Sequence, residues 1–144
     1  MISTVVVGTD GSETAQNAVL AALDLAQRFD ARIVFVSAYQ PVDEHRLKQE
    51  KREAPQDIQW AINPHEDVDA TLREAGELAD ERGVRWGTEA ARGNPAEVLV
   101  QLADKHEADV IVIGNKGMHR RHLGSVPNSV THAANCSVYL VKTA

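Results

Sequence analysis

The 144-residue chain has a single cysteine, Cys136, so it cannot form an internal disulfide. We therefore expect a reducing, cytoplasmic environment, with Cys136 as a small buried residue beside the last strand. No hydrophobic run approaches the ~20 residues that span a bilayer. The first residues do not resemble a signal peptide, because the apolar run 5–7 is followed at once by Gly8 and Asp10. These features predict no membrane association.

Acidic residues are missing from the end of the chain. After Asp109 there is no Asp or Glu, and the basic residues there are Lys116, Arg120, Arg121 and Lys142. The whole chain nevertheless carries a net charge of −6. An acidic body argues against nucleic-acid binding, which needs a broad basic face. A small basic segment on such a body instead suits a compact anion.

Several motifs of nucleotide-processing enzymes are also absent. The first strand is followed by neither H-x-G-H nor S-G-G-x-D-S, and there is no Walker lysine motif. The glycine-rich segment 114–125 has no carboxylate to hold Mg²⁺ or to activate water. We therefore predict no efficient catalysis, with slow hydrolysis as the alternative.

Five apolar runs predict strands, at residues 4–8, 32–38, 84–91, 109–114 and 137–142. Most are solidly apolar rather than alternating, which is typical of parallel strands covered on both faces. Four stretches of helical periodicity separate them. The predicted buried faces are Ala15, Ala18, Val19, Ala22, Ala26 and Phe29; Val68, Leu72, Ala75 and Ala79; Val98, Leu99 and Leu102; and Val126, Val130, Ala133 and Ala134.

This alternation predicts a single α/β domain over residues 1–144. We expect a five-stranded, parallel, doubly wound sheet in the order 3-2-1-4-5, with four helices. Asn63-Pro64 and Asn94-Pro95 are cap and first-turn pairs that predict two of the helix starts. The connector 40–62 is either a lid over the ligand site or a plain insertion.

Two loops at carboxyl ends of strands have the composition of an anion site. Thr9-Asp10-Gly11-Ser12 follows the first strand, and Gly114-Asn115-Lys116-Gly117 follows the fourth. Glycines let the backbone approach an anion, and the helix that begins near Ser125 points free N–H groups at it. If the two strands are neighbours, both loops line one crevice. We expect Ser125 to cap that helix and to offer its hydroxyl to phosphate.

Some residues have two readings. Asp10 either caps the first helix, with Ser12 as the alternative cap, or accepts hydrogen bonds from a ribose or a base. Trp60 and Trp86 either stack on a base or pack against an edge of the core. His119 and His122 make a poor metal pair because no third ligand lies nearby in sequence.

Together these motifs resemble the nucleotide-binding subgroup of the universal stress protein family. The match is Gly114-x-x-Gly117, a spacer from Met118 to Leu123, then Gly124-Ser125, with Thr9-Asp10-Gly11-Ser12 after the first strand. The resemblance implies a stress-response role, a dimer and adenine-nucleotide binding. The binding residues it implies are Gly8, Thr9, Asp10, Ala38, Gly114, Asn115, Lys116, Gly117, Gly124, Ser125, Val126 and Pro127.

Two departures from the family pattern bear on the ligand. The spacer has six residues rather than the family's nine, and Pro127 stands where a hydroxyl residue is common. The resemblance implies ATP, with Mg²⁺ as an accompanying ion, and the departures favour AMP or cyclic AMP as alternatives. A flavodoxin-like module is a further alternative.

The last strand predicts how copies of the chain assemble. Val138, Tyr139, Leu140 and Val141 form an apolar edge with no internal charge or proline. Such an edge can pair with its twofold mate, so we expect a homodimer through this strand.

Overall fold

A computed structural model describes residues 1–39, 64–115 and 124–142 of the chain. These residues form an alternating series of strands and helices. The elements are β1 (Thr4–Gly8), α1 (Glu13–Phe29), β2 (Arg32–Tyr39), α2 (Pro64–Glu81), β3 (Trp86–Arg92), α3 (Pro95–Lys105), β4 (Val110–Asn115), α4 (Ser125–Ala133) and β5 (Ser137–Lys142). The connector at 40–62, with Trp60, lies outside the described residues, as do His119 and His122.

The five strands form one parallel sheet in the order β3-β2-β1-β4-β5. This confirms the predicted fold and strand order. Val6 of β1 pairs with Val34 on one side and with Ile111 on the other, so β1 is the central strand. The pairing of β1 with β4 places their carboxyl ends side by side, which decides where a ligand site can form.

The sheet is covered on both faces. In the central strand, Val5 and Val7 face the core under α1 and α2, whereas Val6 faces the core under α3 and α4. All three side chains are fully buried, because successive side chains of a strand point to opposite faces and helices cover both faces of this sheet. The edge strands β3 and β5 instead alternate between exposed and partly buried positions.

The helices bury most of the predicted apolar positions. In α1, Ala15, Ala18, Val19, Ala22 and Ala26 are buried as expected. Phe29 is 41% exposed, so its predicted burial is wrong. It is the last residue of the helix, and the chain turns away at Asp30 with φ 51°.

The last helix follows its predicted pattern only in part. Val130 is buried, and Val126 and Ala134 are partly buried against the same core. Ala133 is exposed, so its predicted burial is wrong. Ala133 is the last of the nine residues of helix α4.

Trp86 packs at an edge of the core, which is the second of its two predicted readings. Its ring lies 6.4 Å from that of Phe35, centroid to centroid, and its Nε1–H donates to Asp80 Oδ1 at 2.8 Å. The ring also covers Gly76 of α2, where it leaves no room for a Cβ. Trp86 begins β3, so it lies at the amino end of the sheet, away from the carboxyl-end loops.

Cys136 is partly buried against the core under α3 and α4. Burial, together with the nearby carboxylates of Asp104 and Asp109, raises the pKa of its thiol. A thiol with a raised pKa stays protonated near neutral pH, which agrees with a packing role. No helix among the described residues is long and apolar enough to cross a membrane.

Candidate functional site

A cavity of about 370 Å³ opens at the carboxyl ends of β1 and β4. It is bounded by the β1–α1 loop, the ends of β2 and β4, and the first turns of α3 and α4. The lining residues are Gly8, Thr9, Asp10, Ser12, Thr14, Ala15, Val36, Ala38, Pro95, Leu99, Ile113, Gly114, Gly124, Ser125, Val126 and Pro127.

The structure brings most of the predicted site residues together around this cavity. Those that line it are Gly8, Thr9, Asp10, Ala38, Gly114, Gly124, Ser125, Val126 and Pro127. Asn115 does not line the cavity, and Lys116 and Gly117 lie outside the described residues. Segments more than a hundred positions apart therefore meet because β1 and β4 are neighbours in the sheet.

The β1–α1 loop is held by its own polar groups. The buried Thr9 donates its N–H to the carbonyl of Val36 at 2.9 Å, and its Oγ1 accepts from the N–H of Gly11 at 3.3 Å. Gly11 has φ +83°, a backbone conformation that residues other than glycine rarely adopt. The loop therefore has a defined shape on the cavity wall.

Ser12, the alternative cap in the prediction, is the residue that caps α1, and Asp10 holds the turn just before it. Ser12 is the N-cap of α1, and its Oγ accepts from the N–H of Ala15 at 3.2 Å. Asp10 Oδ1 accepts from the N–H of Ser12 at 2.9 Å, which closes an Asx turn just before the helix. Asp10 is exposed at the cavity, so its carboxylate can both hold the loop and meet a ligand.

Gly114 lets the end of β4 approach the start of α1. A Cβ at this position would lie 2.8 Å from the carbonyl oxygen of Thr14 and 2.9 Å from its Cγ2. The glycine motif therefore serves packing between elements as well as the cavity surface.

Helix α4 directs its amino end at the cavity. Its N-cap is Gly124, so the prediction that Ser125 caps this helix is wrong, and Ser125 is the first helical residue. Gly124 has no side chain to accept the first-turn N–H groups, and no acidic residue lies in that turn. The positive end of the helix dipole thus faces the cavity with no side-chain cap from its own N-cap residue.

Behind this turn lies Asn115, the last residue of β4, whose side chain is almost completely buried at 1% exposure. Its Oδ1 accepts from the N–H of Gly124 at 2.7 Å. Asn115 thus connects the end of β4 to the start of α4 through the backbone N–H of Gly124.

Sequence patterns did not predict the apolar wall of the cavity. Val36, Leu99 and Ile113 line it, and Pro95 brings in the first turn of α3. The sequence does predict the start of α3, because Asn94-Pro95 is a cap and first-turn pair. In the structure, Asn94 Oδ1 accepts from the N–H of Ala96 at 3.0 Å. Only the packing of α3 across β1 and β2 shows that this helix start reaches the cavity.

The described part of the cavity is weakly charged. Asp10 is its one carboxylate, and none of the described lining residues is basic. The described residues contain no group of three or more His, Cys, Asp or Glu placed to hold a metal ion. The described lining therefore offers backbone N–H groups, hydroxyls and an apolar wall.

A family model described as the universal stress protein family matches residues 1–142. The chain belongs to the universal stress protein family. This membership confirms the resemblance to the universal stress protein family, and it argues against the flavodoxin-like alternative. The fold agrees with it, since solved structures of universal stress proteins match nearly the whole chain.

Relatives resemble this universal stress protein over nearly its whole length. One from Mycobacterium tuberculosis is 35% identical over 144 residues, covering 97% of this chain and 96% of that protein. A crystal structure of a universal stress protein in complex with cAMP has a TM-score of 0.73 at 32% identity, covering 99% of this chain and 98% of that one. An Arabidopsis thaliana member with AMP bound has a TM-score of 0.71 at 17% identity, covering 99% and 92%, and supports the fold alone.

Proposed function

We propose that this universal stress protein binds an adenine nucleotide in the cavity between β1 and β4, as a cytoplasmic regulator in the stress response. The observation that carries the proposal is the shared cavity itself, lined by the β1–α1 loop on one side and by the start of α4 on the other. Clefts at the carboxyl ends of neighbouring parallel strands are where nucleotides bind in sheets of this kind.

The chemistry of the lining fits the three parts of a nucleotide. Val36, Ala38 and Leu99 offer an apolar wall for a base. Asp10 offers carboxylate oxygens to ribose hydroxyls, and the N–H groups of Ser125 and Val126 offer donors to a phosphate. The roles predicted for Lys116 and Gly117 at the phosphates stay predictions.

A nucleotide with one phosphate is favoured over ATP. The relative in complex with cAMP is 32% identical to this chain, and the spacer before Gly124 is shorter than the family pattern. Pro127 lies in the first turn of α4 and supplies no N–H. We propose AMP or cyclic AMP as the ligand, with ATP as the alternative.

We propose binding without efficient hydrolysis. Phosphoryl transfer needs groups that position Mg²⁺ and the attacking water. The described lining supplies one carboxylate, Asp10, which already accepts from Ser12. The binding of Mg²⁺ together with ATP, which the resemblance implies, stays a prediction.

The proposal is tested by calorimetric titration of the purified protein with AMP, cyclic AMP and ATP, comparing wild type with Ser125→Glu. A glutamate in the first turn favours the helix by about 0.3–1 kcal/mol, so the variant should fold at least as well as wild type. Its carboxylate would lie beside the phosphate, and we expect affinity to fall roughly tenfold or more.

The matched control is Ser129→Glu. Ser129 is exposed on the same helix and does not line the cavity, so this variant changes the net charge equally. We expect a clearly smaller loss of affinity than in Ser125→Glu, because Ser129 lies a full helical turn further from the amino end of α4 that faces the cavity. Equal losses in the two variants, or no binding by wild type, would contradict the proposed site.

We also propose a homodimer formed through β5. Tyr139 is 45% exposed, and Val138, Leu140 and Val141 are partly buried. In the described sheet β5 pairs only with β4, so its other edge can pair with a second copy.

A further inference from the structure

We infer that Asn115 is a positioning residue for the phosphate end of the cavity and does not itself contact the ligand. The inference rests on the proposed nucleotide binding, and it assigns to Asn115 a role different from the direct contact that the family resemblance implies. Its basis is one hydrogen bond, from the N–H of Gly124 to Oδ1 of Asn115 at 2.7 Å.

The start of α4 lacks the usual means of satisfying its own amide groups. In a capping box, the N-cap side chain accepts from the third helical residue, whose side chain in turn accepts from the N-cap N–H. Here the N-cap is Gly124, and the third helical residue is Pro127. Neither residue has an acceptor on its side chain, so both halves of the box are missing.

Asn115 supplies one of these halves from another element. Its oxygen accepts from the N-cap N–H, as the third residue of a capping box would. Because Asn115 ends β4 and is paired with Lys142 of β5, the acceptor is anchored in the sheet. The direction of the first turn of α4 is therefore set by the sheet rather than by the helix's own side chains.

This arrangement leaves the next amides for a ligand. Gly124 N–H is occupied and Pro127 has no N–H, whereas Ser125 and Val126, which lie between them and line the cavity, each carry a backbone N–H. Donors that are oriented before binding bind an anion more tightly than donors that must be ordered at the time of binding. Asn115 thus contributes to phosphate affinity through Gly124, without lying on the cavity surface.

The consequence is specific to phosphate. Adenosine has the base and ribose of AMP but no phosphate, so its binding depends on the apolar wall and on Asp10. Loss of the Asn115 side chain should weaken AMP binding much more than adenosine binding. A general loss of stability would weaken both ligands together.

The test measures the affinity of AMP and of adenosine for wild type and for Asn115→Ala. We expect wild type to prefer AMP, and Asn115→Ala to reduce that preference by about tenfold or more, since ordering the backbone of one residue at the time of binding has a cost of that size. The control is Asn94→Ala, which removes the comparable cap of α3, where Asn94 Oδ1 accepts from Ala96 N–H. It should leave the preference for AMP within about threefold of wild type.

Two outcomes would overturn the inference. Either Asn115→Ala keeps the wild-type preference for AMP, or it loses AMP and adenosine affinity in parallel, and each result rejects a phosphate-positioning role. If wild type bound neither ligand, the proposed function itself would fail, and that result is distinct from the first two.

A second measurement is independent of any ligand and of whether the variant folds. In wild-type protein without nucleotide, we expect the Gly124 amide to exchange with solvent at least about tenfold more slowly than in an unstructured peptide, because Asn115 holds it. Exchange at the peptide rate would overturn the inference.

Discussion

Gly114 lies where the carboxyl end of β4 meets the first turn of α1. The sequence pattern assigned this glycine to an anion site, and the structure adds a packing reason, because Thr14 leaves no room for a side chain. Gly114 thus both lines the cavity and allows β4 to approach α1, and sequence spacing alone does not show the second property.

We predict that Gly114→Ala lowers the free energy of unfolding by about 1–3 kcal/mol, the usual cost of overpacking. The added Cβ would lie 2.8 Å from the backbone oxygen of Thr14, which can move only if the helix moves. Urea denaturation measures the change.

The matched control is Gly87→Ala in β3. Its Cβ would lie 3.1 Å from the guanidinium of Arg32, the far end of a flexible side chain that can move aside. We expect a change within about 1 kcal/mol. Equal destabilisation by the two variants would reject the close approach of β4 to α1 as the cause.

At the scale of elements, the site depends on the pairing of β1 with β4. Asp109, just before β4, reinforces that pairing at the amino end of the strands. Its Oδ2 accepts from the N–H of Ser3 at 2.7 Å and from that of Thr4 at 3.0 Å. These two backbone N–H groups hold the pKa of Asp109 below its ordinary value of 3.8.

This lowered pKa predicts a pH dependence with a definite sign. Because the folded state favours the ionised carboxylate, its contribution to stability is present above pH 3.8 and is lost as the pH falls through the lower folded pKa. We expect Asp109→Asn to be less stable than wild type at pH 7. The difference in stability should shrink as the pH falls below 3.8. Urea denaturation at a series of pH values measures it.

An exposed carboxylate on α2 provides the control. Asp69→Asn should change stability little at pH 7, because Asp69 is exposed and away from the β1–β4 pair. A pH-independent difference between Asp109→Asn and wild type would show that the ionised carboxylate is not what stabilises the start of these strands.

At the scale of the molecule, the proposed dimer concerns the edge strand β5. An unprotected apolar edge is a template for pairing, and a lysine on an edge strand opposes it. Tyr139 is the most exposed large hydrophobic residue of this strand.

We predict that wild type sediments as a dimer at micromolar concentration and that Tyr139→Lys shifts it to monomer, weakening association by about tenfold or more. Phe29→Lys is the control, since Phe29 is a similarly exposed aromatic residue at the end of α1. A monomeric wild type, or equal dissociation by both variants, would exclude β5 as the interface.

The sequence was most informative where local physics decides the structure. The buried runs of β1, β2 and β4 and the cap at Asn94 were predictable, because burial on both faces and helix capping leave local patterns. Predictions were wrong where an element ends: Phe29 and Ala133 continue the helical period but are exposed as the last residues of their helices, and Ser125 was taken for the cap that Gly124 provides.

The amino-acid sequence by itself determined the fold class, the glycine-containing loops that follow β1 and β4, and the family to which these loops point. Periodicity and turn chemistry are local properties, which is why the sequence shows them. Only the tertiary structure decided that α3 closes the cavity with Pro95 and Leu99 and that Asn115 bonds Gly124 behind it. These contacts join residues that are distant along the chain or separated by a loop. Their geometry depends on how helices pack across the sheet, which no local pattern records.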